Sequence, residues 1–159
     1  MARPVNDIGF IGDLIDYLGN NFCIDTGRVF ASGHSNGGGL TNVLACDPVM
    51  SRRIAAFGAH SAAIYSTTSD SSATCAQPAP YNILTNTLVQ PICSPGRPNV
   101  PWFEIHGDAD GTIPYIGGGR RGYCLPAIPH TVMDWCVPYA AEDTSLDTPL
   151  TSFFVGRSD

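Results

Sequence analysis

Apolar side chains recur at helical spacing close to the start of the chain. Five of them fall on one face of a helix: Ile8, Ile11, Leu14, Ile15 and Leu18. Asn6 and Asp7 come just before them and favour a helix start. A Gly-Asn-Asn run at 19–21 favours the end of the helix. The sequence therefore predicts an amphipathic first helix.

Three short apolar runs have the length and composition of strands. They span 29–31, 54–59 and 100–106. We expect the first two to be buried strands. Leu40, Val43 and Leu44 follow the first run at helical spacing, and they predict a helix. This helix should end near 46–48. Helix, strand, turn and helix in succession indicate a parallel α/β unit.

Residues 61–99 have no strong periodicity and contain many Ser, Thr, Pro and Asn. A loop of this length inside a domain is a lid, a binding loop or a disordered segment. Its larger side chains either line a substrate cleft or pack within the loop: Tyr65, Tyr81, Pro91 and Ile92. Further on, 129–135 is typical of a short helix and 152–155 of one more strand.

The length of 159 residues indicates a single domain. Its predicted organisation has four parts. Residues 1–60 form a helix, a strand, a sharp turn, a second helix and a second strand, and 61–99 form the loop or lid. Residues 100–136 form a strand, a loop and a helix, and 137–159 form a divergent tail.

The formal net charge of −6 and the isoelectric point near 4.9 argue against nucleic acid as a partner. No apolar run approaches the length that crosses a membrane. Neither Cys-x-x-Cys nor a Cys/His ligand spacing is present, so we expect no zinc. The glycine run at 33–39 fits no nucleotide-binding pattern, and we expect no cofactor.

Six cysteines in a chain of this length indicate an oxidising compartment. The sequence leaves their pairing open, because many connectivities are possible. The candidate pairs are Cys23 with Cys46 and Cys75 with Cys93, with Cys124 and Cys136 left as a third pair or as thiols. The first residues do not resemble a signal peptide. Either the chain is cytosolic with reduced thiols, or its true N-terminus is missing.

The sequence after the first strand fits the pattern Gly-x-Ser-x-Gly. Its members are Gly33, His34, Ser35, Asn36 and Gly37. A serine that attacks a carbonyl stands clear of the backbone on a tight turn, where residues two positions away lack room for a side chain. Ser35 is thus the candidate nucleophile, and the backbone N–H of Asn36 is the candidate oxyanion donor. The alternative is a glycine-rich turn that only lets a helix pack close to a strand.

A second loop with candidate chemistry follows the third strand. Asp108 and Asp110 lie on it, at the carboxyl end of the strand, where catalytic groups of open α/β sheets gather. Spacing alone does not choose between the two aspartates.

An activated serine also needs a base, and the chain has four histidines. His34 should point away from its serine neighbour on so sharp a turn. His106 lies at a strand end and is typical of a structural, hydrogen-bonded histidine. His60 ends the second strand at the correct edge but precedes the aspartates in the chain. His130 follows them but lies at a predicted helix start.

Two stretches of the chain resemble a known family. They are CIDTGRVFASGHSNGGGLTNVLACDP with SRRIAAFGAHSAAIY, and CSPGRPNVPWFEIHGDADGTIPYIGGGRRGYCLPAIPH. Both resemble the fungal feruloyl esterases of types C and D in the carbohydrate esterase 1 group, which is related to polyhydroxybutyrate depolymerases. The similarity runs from about residue 5 to residue 135.

The resemblance implies an α/β-hydrolase-like fold, here a partial parallel sheet with flanking helices and a long loop insertion. It implies a secreted serine esterase that releases ferulic acid from arabinoxylan or pectin, with feruloylated polysaccharide or a small aromatic ester as its partner. Ser35 carries over as nucleophile and Asn36 as one oxyanion donor. Asp110 carries over as the acid, since the family pattern is His-Gly-x-x-Asp, and Asp108 then caps the loop.

The sequence departs from the family in several places, two of which concern the catalytic groups. The family's catalytic histidine lies in a Gly-His-x-Trp-Pro-like motif after the last strand, and nothing here matches it. In the family, several strands lie upstream of the nucleophile, and a His-Gly loop among them gives the second oxyanion donor. The sequence that starts at Met1 does not contain them. We therefore expect a truncated member with an unknown catalytic histidine, unless His60 or His130 replaces it. The alternatives are an inactive hydrolase-like fragment or binding module, and an acetylxylan esterase or polyhydroxybutyrate depolymerase of the same fold.

Overall fold

The computed structural model describes residues 5–66, 75, 93–132 and 135. Its first helix, α1, spans Asp7–Asn21, as the sequence predicts. Asn6 caps this helix, because its side-chain oxygen accepts a hydrogen bond from the Gly9 N–H at 2.9 Å. The apolar face of α1 is turned to the core, where Ile15 is buried.

Three parallel strands form the main sheet, in the order β1-β2-β3. They are β1 Phe30–His34, β2 Ala56–His60 and β3 Trp102–Ile105. Ala31 lies beside Phe57, and Phe57 lies beside Trp102, so these three side chains share one face. The predicted strands are thus present with shifted ends, and the described structure belongs to the mixed α/β class.

Two helices connect β1 to β2, and a short 3₁₀ turn, Thr26–Arg28, precedes β1. These are α2, Asn36–Cys46, and α3, Met50–Arg53. The end of α2 agrees with the predicted end near 46–48. Because α2 packs against β1 and β2, one face of the sheet is buried. The main side chains of this core are Leu44, Ala45, Ile54, Phe57, Ala59, Trp102 and Trp135.

The opposite face of the sheet is open within the described part of the chain. Phe30 is 65% exposed and Ile105 is 44% exposed. The prediction that the first apolar run is a buried strand is therefore wrong: β1 is an edge strand of this sheet, and α2 covers one of its faces only. In β2 the burial alternates in the same way, with Phe57 and Ala59 buried.

Arg97 closes the end of α3. Its guanidinium donates to the carbonyl of Ser51, to that of Ile54 at 3.1 Å and to that of Ala55 at 2.8 Å. The last carbonyls of a helix lack intrahelical partners. One side chain from a distant segment therefore satisfies the end of α3 and the entry to β2.

A short antiparallel hairpin lies where the sequence predicts only loop. Its strands are β4, Gly118–Arg120, and β5, Tyr123–Leu125. The pattern failed here because β4 begins with two glycines, which carry no side chain that would indicate a strand. Residues 128–132 and 135 are helical, in agreement with the short helix predicted at 129–135.

Two disulfides link the described residues, and both differ from the predicted pairs. Cys46 is bonded to Cys93, and Cys75 to Cys124. Cys23 is exposed and unpaired among these residues, so the predicted bond from Cys23 to Cys46 is wrong. The predicted bond from Cys75 to Cys93 and the third pair, Cys124 with Cys136, are wrong as well. Proximity in the sequence did not predict the pairing, because the bonds join residues that lie 47 and 49 positions apart. Disulfides are consistent with an extracellular protein.

Several predicted features lie outside the described residues: Tyr81, Pro91, Ile92, Cys136, most of 61–99, the strand at 152–155 and the tail at 137–159. Among the helices that the structure describes, none has the length and apolar character that a membrane crossing requires.

Candidate active site

The backbone is strained at Ser35, in the turn between β1 and α2. Its angles are φ 56° and ψ −118°. Residues that carry a side chain rarely adopt such angles, and they cost about 1–3 kcal/mol. A strained strand-to-helix turn is the context that Gly-x-Ser-x-Gly requires of a nucleophile.

The two glycines of the motif differ in their surroundings. A Cβ on Gly33 would lie 2.2 Å from the Gly37 carbonyl oxygen, so no side chain fits there. A Cβ on Gly37 would meet no atom within 4 Å. The expectation that both positions lack room is therefore correct for Gly33 and wrong for Gly37, because Gly37 is exposed at the start of α2.

Hydrogen bonds fix the backbone of Ser35 on both sides. Its N–H donates to the His60 carbonyl at 2.9 Å, and its carbonyl accepts from Gly39 at 3.0 Å and from Ala63 at 2.9 Å. Although Ser35 is the N-cap residue of α2, its side chain makes no capping hydrogen bond. The hydroxyl is therefore left for other chemistry.

The start of α2 provides donors beside Ser35. Asn36 is the first residue of the helix, where backbone N–H groups have no intrahelical acceptor. The helix dipole adds partial positive charge at this end. Asn36 thus lies where an oxyanion donor is expected.

The glycines that follow in α2 have a packing role. A Cβ on Gly39 would lie 2.2 Å from the Ala63 carbonyl oxygen, and one on Gly38 would lie 3.0 Å from the Ala62 side chain. This close approach agrees with the alternative interpretation of the glycine run for these two positions. It does not account for the strain at Ser35.

Asp110 lies in the loop after β3. Its Oδ1 accepts from the Thr112 N–H at 2.8 Å and from the Ile113 N–H at 2.9 Å. The hydrogen bond from Ile113 is the main cause that lowers the pKa of Asp110 below 3.8; burial opposes it, and Thr112, Ser61 and His106 reinforce it. Asp110 is therefore an ionised acceptor at neutral pH. Asp108 lies in the same loop and is exposed.

Ser61 was missed by the sequence reasoning. It follows β2 directly, has φ 45° and makes a side-chain hydrogen bond to Asp110. The positive φ of a residue with a side chain is itself unusual. Nothing in the sequence pattern distinguishes Ser61 from the other serines, since its role depends on the parallel pairing of β2 with β3.

The four histidines occupy three environments. His106 is buried, with Nδ1 2.9 Å from the Glu104 carboxylate and Nε2 2.8 Å from the Ile113 carbonyl, which agrees with its predicted structural role. His34 and His60 have ring centroids 4.9 Å apart and are exposed, and His130 is buried. Within the described residues, no hydrogen bond joins a histidine ring to the Ser35 hydroxyl.

A cleft of about 750 Å³ begins beside Asn36 and runs along α2. Leu40 and Val43 line one side of it, and Tyr65 and Tyr123 line another. The two tyrosine rings meet edge to face, with centroids 6.1 Å apart. A mostly apolar cleft of this size is typical of small-molecule sites.

No protein-family model matches the chain, and no curated protein is significantly similar to it. Among the described residues, no group of three or more His, Cys, Asp or Glu side chains is arranged to hold a metal ion.

Proposed function

We propose that the chain carries the nucleophile and the acid of a secreted serine esterase with an α/β-hydrolase-like fold. Ser35 attacks the ester carbonyl, the Asn36 N–H binds the oxyanion, and Asp110 orients the base. The ester C–O bond breaks and the alcohol leaves with a proton, and water then hydrolyses the acyl-enzyme to the free acid and restores the Ser35 hydroxyl. The observation that carries the proposal is the strained backbone of Ser35, combined with a hydroxyl that does not cap its helix.

The arrangement of Asp110 also supports a role as the acid. A carboxylate offers about four acceptor sites. Thr112, Ile113 and Ser61 use three of them. Room remains for the N–H of a catalytic base.

We infer that the substrate is a feruloyl ester of a plant cell-wall polysaccharide. The resemblance to feruloyl esterases provides the substrate class. The cleft beside Asn36 supports it, because the walls formed by Tyr65 and Tyr123 suit an aromatic acyl group. Acetylxylan esterase and polyhydroxybutyrate depolymerase activities are the nearest rivals.

The first test is labelling of the full chain with a fluorophosphonate probe, which reacts with activated serines. We expect labelling that disappears in Ser35→Ala. Ser32→Ala is the matched control, since Ser32 is exposed on β1 outside the turn. Labelling that persists in Ser35→Ala, or a folded chain that does not label, would contradict the proposal. Release of ferulate, acetate or hydroxybutyrate then separates the three substrates.

A second candidate function is an inactive hydrolase-like module that binds aromatic or carbohydrate ligands. The observation that favours it is that no described histidine is bonded to Ser35, while His106 is fully used elsewhere. Ferulate binding measured by calorimetry, unchanged in Ser35→Ala and without any labelling, identifies this function.

A further inference from the structure

A buried pair of a carboxyl group and an imidazole ring, Glu104 and His106, lies between the two halves of the candidate site. The side chains are 2% and 0% exposed, and the Nδ1–Oε1 distance is 2.9 Å. The pair occupies the end of β3 and the first residue after it. Neither residue belongs to the catalytic set proposed above.

Glu104 reaches the nucleophile side. Its Oε1 also accepts a hydrogen bond from the Ala62 N–H at 3.0 Å. The next residue, Ala63, donates to the carbonyl of Ser35 at 2.9 Å. The carboxylate therefore fixes the same short segment that fixes the strained turn.

His106 reaches the acid side. Its Nε2 is 2.8 Å from the Ile113 carbonyl and 3.7 Å from Asp110 Oδ2. The Ile113 N–H in turn donates to Asp110 Oδ1 at 2.9 Å. The ring therefore fixes the turn that presents the acid.

The ring needs a proton on both nitrogens to make these contacts. A carbonyl accepts only, so Nε2 donates to Ile113, and Nδ1 donates when Glu104 is ionised. Burial lowers the pKa of His106, but the hydrogen bonds to Glu104 and Ile113 and the charges of Glu104 and Asp110 together raise it above 6.5. Tyr115 also faces the ring, with centroids 6.1 Å apart.

Stability alone does not favour this pair. Glu104 Oε2 is buried without a hydrogen-bond partner among the described residues. A buried ion pair is often no more stabilising than apolar side chains of similar volume. The pair does something that apolar side chains cannot, since it bonds to a backbone group on each side of the site.

We propose that Glu104 and His106 are positioning residues, which together hold the turn of Ser35 and the loop of Asp110 at a fixed separation. This inference rests on the proposed esterase function. Because the ring donates to Glu104 and to Ile113 at the same time only when it is charged, the coupling is complete below the pKa of His106 in the folded protein. It is lost as the pH rises through that value.

One test does not depend on activity. Backbone amide signals of Ala62, Ala63, Thr112 and Ile113 are followed by NMR from pH 5 to pH 10 in the full chain. We expect all four to shift with the midpoint at which the His106 ring titrates, and we expect Glu104→Gln to remove this shared transition. Asp16→Asn, the same change in an exposed ion-paired carboxylate, is the control and should leave the transition in place.

The proposal is overturned if the Thr112 and Ile113 signals titrate while those of Ala62 and Ala63 do not. The unsubstituted chain decides this even if Glu104→Gln does not fold. The NMR titration also tests the positioning role when Ser35 is unreactive, because it does not measure activity. Failure of the esterase proposal is therefore distinguishable from failure of this one.

The second test uses the rate of fluorophosphonate labelling against pH. We expect an alkaline fall in rate that follows His106, and a loss of about 10- to 100-fold in Glu104→Gln, since misplacement by about 1 Å has effects of this order. Glu104→Asp keeps the charge and should restore the alkaline fall. A Glu104→Gln protein with the rate and pH profile of the original chain would refute the positioning role.

Discussion

Gly33→Ala is the sharpest test of the turn geometry, because the added methyl group meets rigid backbone. Its Cβ would lie 2.2 Å from the Gly37 oxygen and 2.3 Å from the Gly37 carbon. Ordinary contacts begin at 3.4 Å, so the methyl group is too close by about 1.2 Å. Neither atom belongs to a flexible side chain, so β1 and the start of α2 must move apart.

Two effects of known size follow from this displacement. Forcing an extra carbon into a packed site costs about 1–3 kcal/mol of unfolding free energy. A shift of about 1 Å at Ser35 lowers its reactivity on the order of 100-fold. Urea denaturation followed by circular dichroism measures the first effect, and the rate of fluorophosphonate labelling measures the second.

Gly37→Ala is the matched control, with the same chemical change four residues further along the chain. Its Cβ meets no atom within 4 Å, and Gly37 lies within α2. Alanine favours a helix over glycine by about 0.5–1 kcal/mol, so this variant should be more stable than the original chain. If Gly33→Ala is as stable and reactive as the original chain, or if the two variants behave alike, the steric reasoning is wrong.

Three further predictions concern stability. Arg97→Ala should lower the free energy of unfolding by about 1–3 kcal/mol in a urea titration, because the carbonyls of Ile54 and Ala55, just after α3, lose their donor. Arg97→Lys lacks the planar guanidinium, so it should recover only part of this loss. Asp110→Asn should flatten the fall in the free energy of unfolding between pH 6 and pH 2. Because the pKa of Asp110 is lowered in the folded protein, its ionised form contributes stability above the pKa of the unfolded chain, and this contribution is lost as the pH falls through the folded pKa. An unchanged acid fall would contradict this. Reduction of Cys46–Cys93 should lower the free energy of unfolding by about 2–5 kcal/mol, seen as a lower melting temperature under dithiothreitol. The double variant Cys46→Ala, Cys93→Ala has no such bond to reduce, so its melting temperature should fall less under dithiothreitol than that of the original chain.

Local pattern was sufficient for the elements that form from neighbouring residues. The period of the apolar side chains and the cap at Asn6 determine α1, so its ends agree with the prediction. The turn at Ser35 was predicted for the same reason, since it depends on Gly33 and on β1, which lie within a few residues of Ser35. These features depend on short-range sterics, which the sequence displays directly.

Features that depend on strand pairing were not predictable. Ser61 meets Asp110 only because β2 and β3 run parallel and end at the same edge. The partners of Cys46 and Cys75 follow from where distant segments return to the core. The exposure of Phe30 likewise depends on which layers cover the sheet, and a single apolar run carries no information about that.

The order of the four bonded cysteines keeps the two pieces of a cut chain together. Their positions, 46, 75, 93 and 124, alternate between the two bonds, so each covalent loop contains one end of the other. A single proteolytic cut anywhere between Cys46 and Cys124 therefore leaves the two fragments joined by at least one bond. As long as no reductant opens the disulfides, a nicked molecule would therefore keep Ser35 and Asp110 in one covalent assembly.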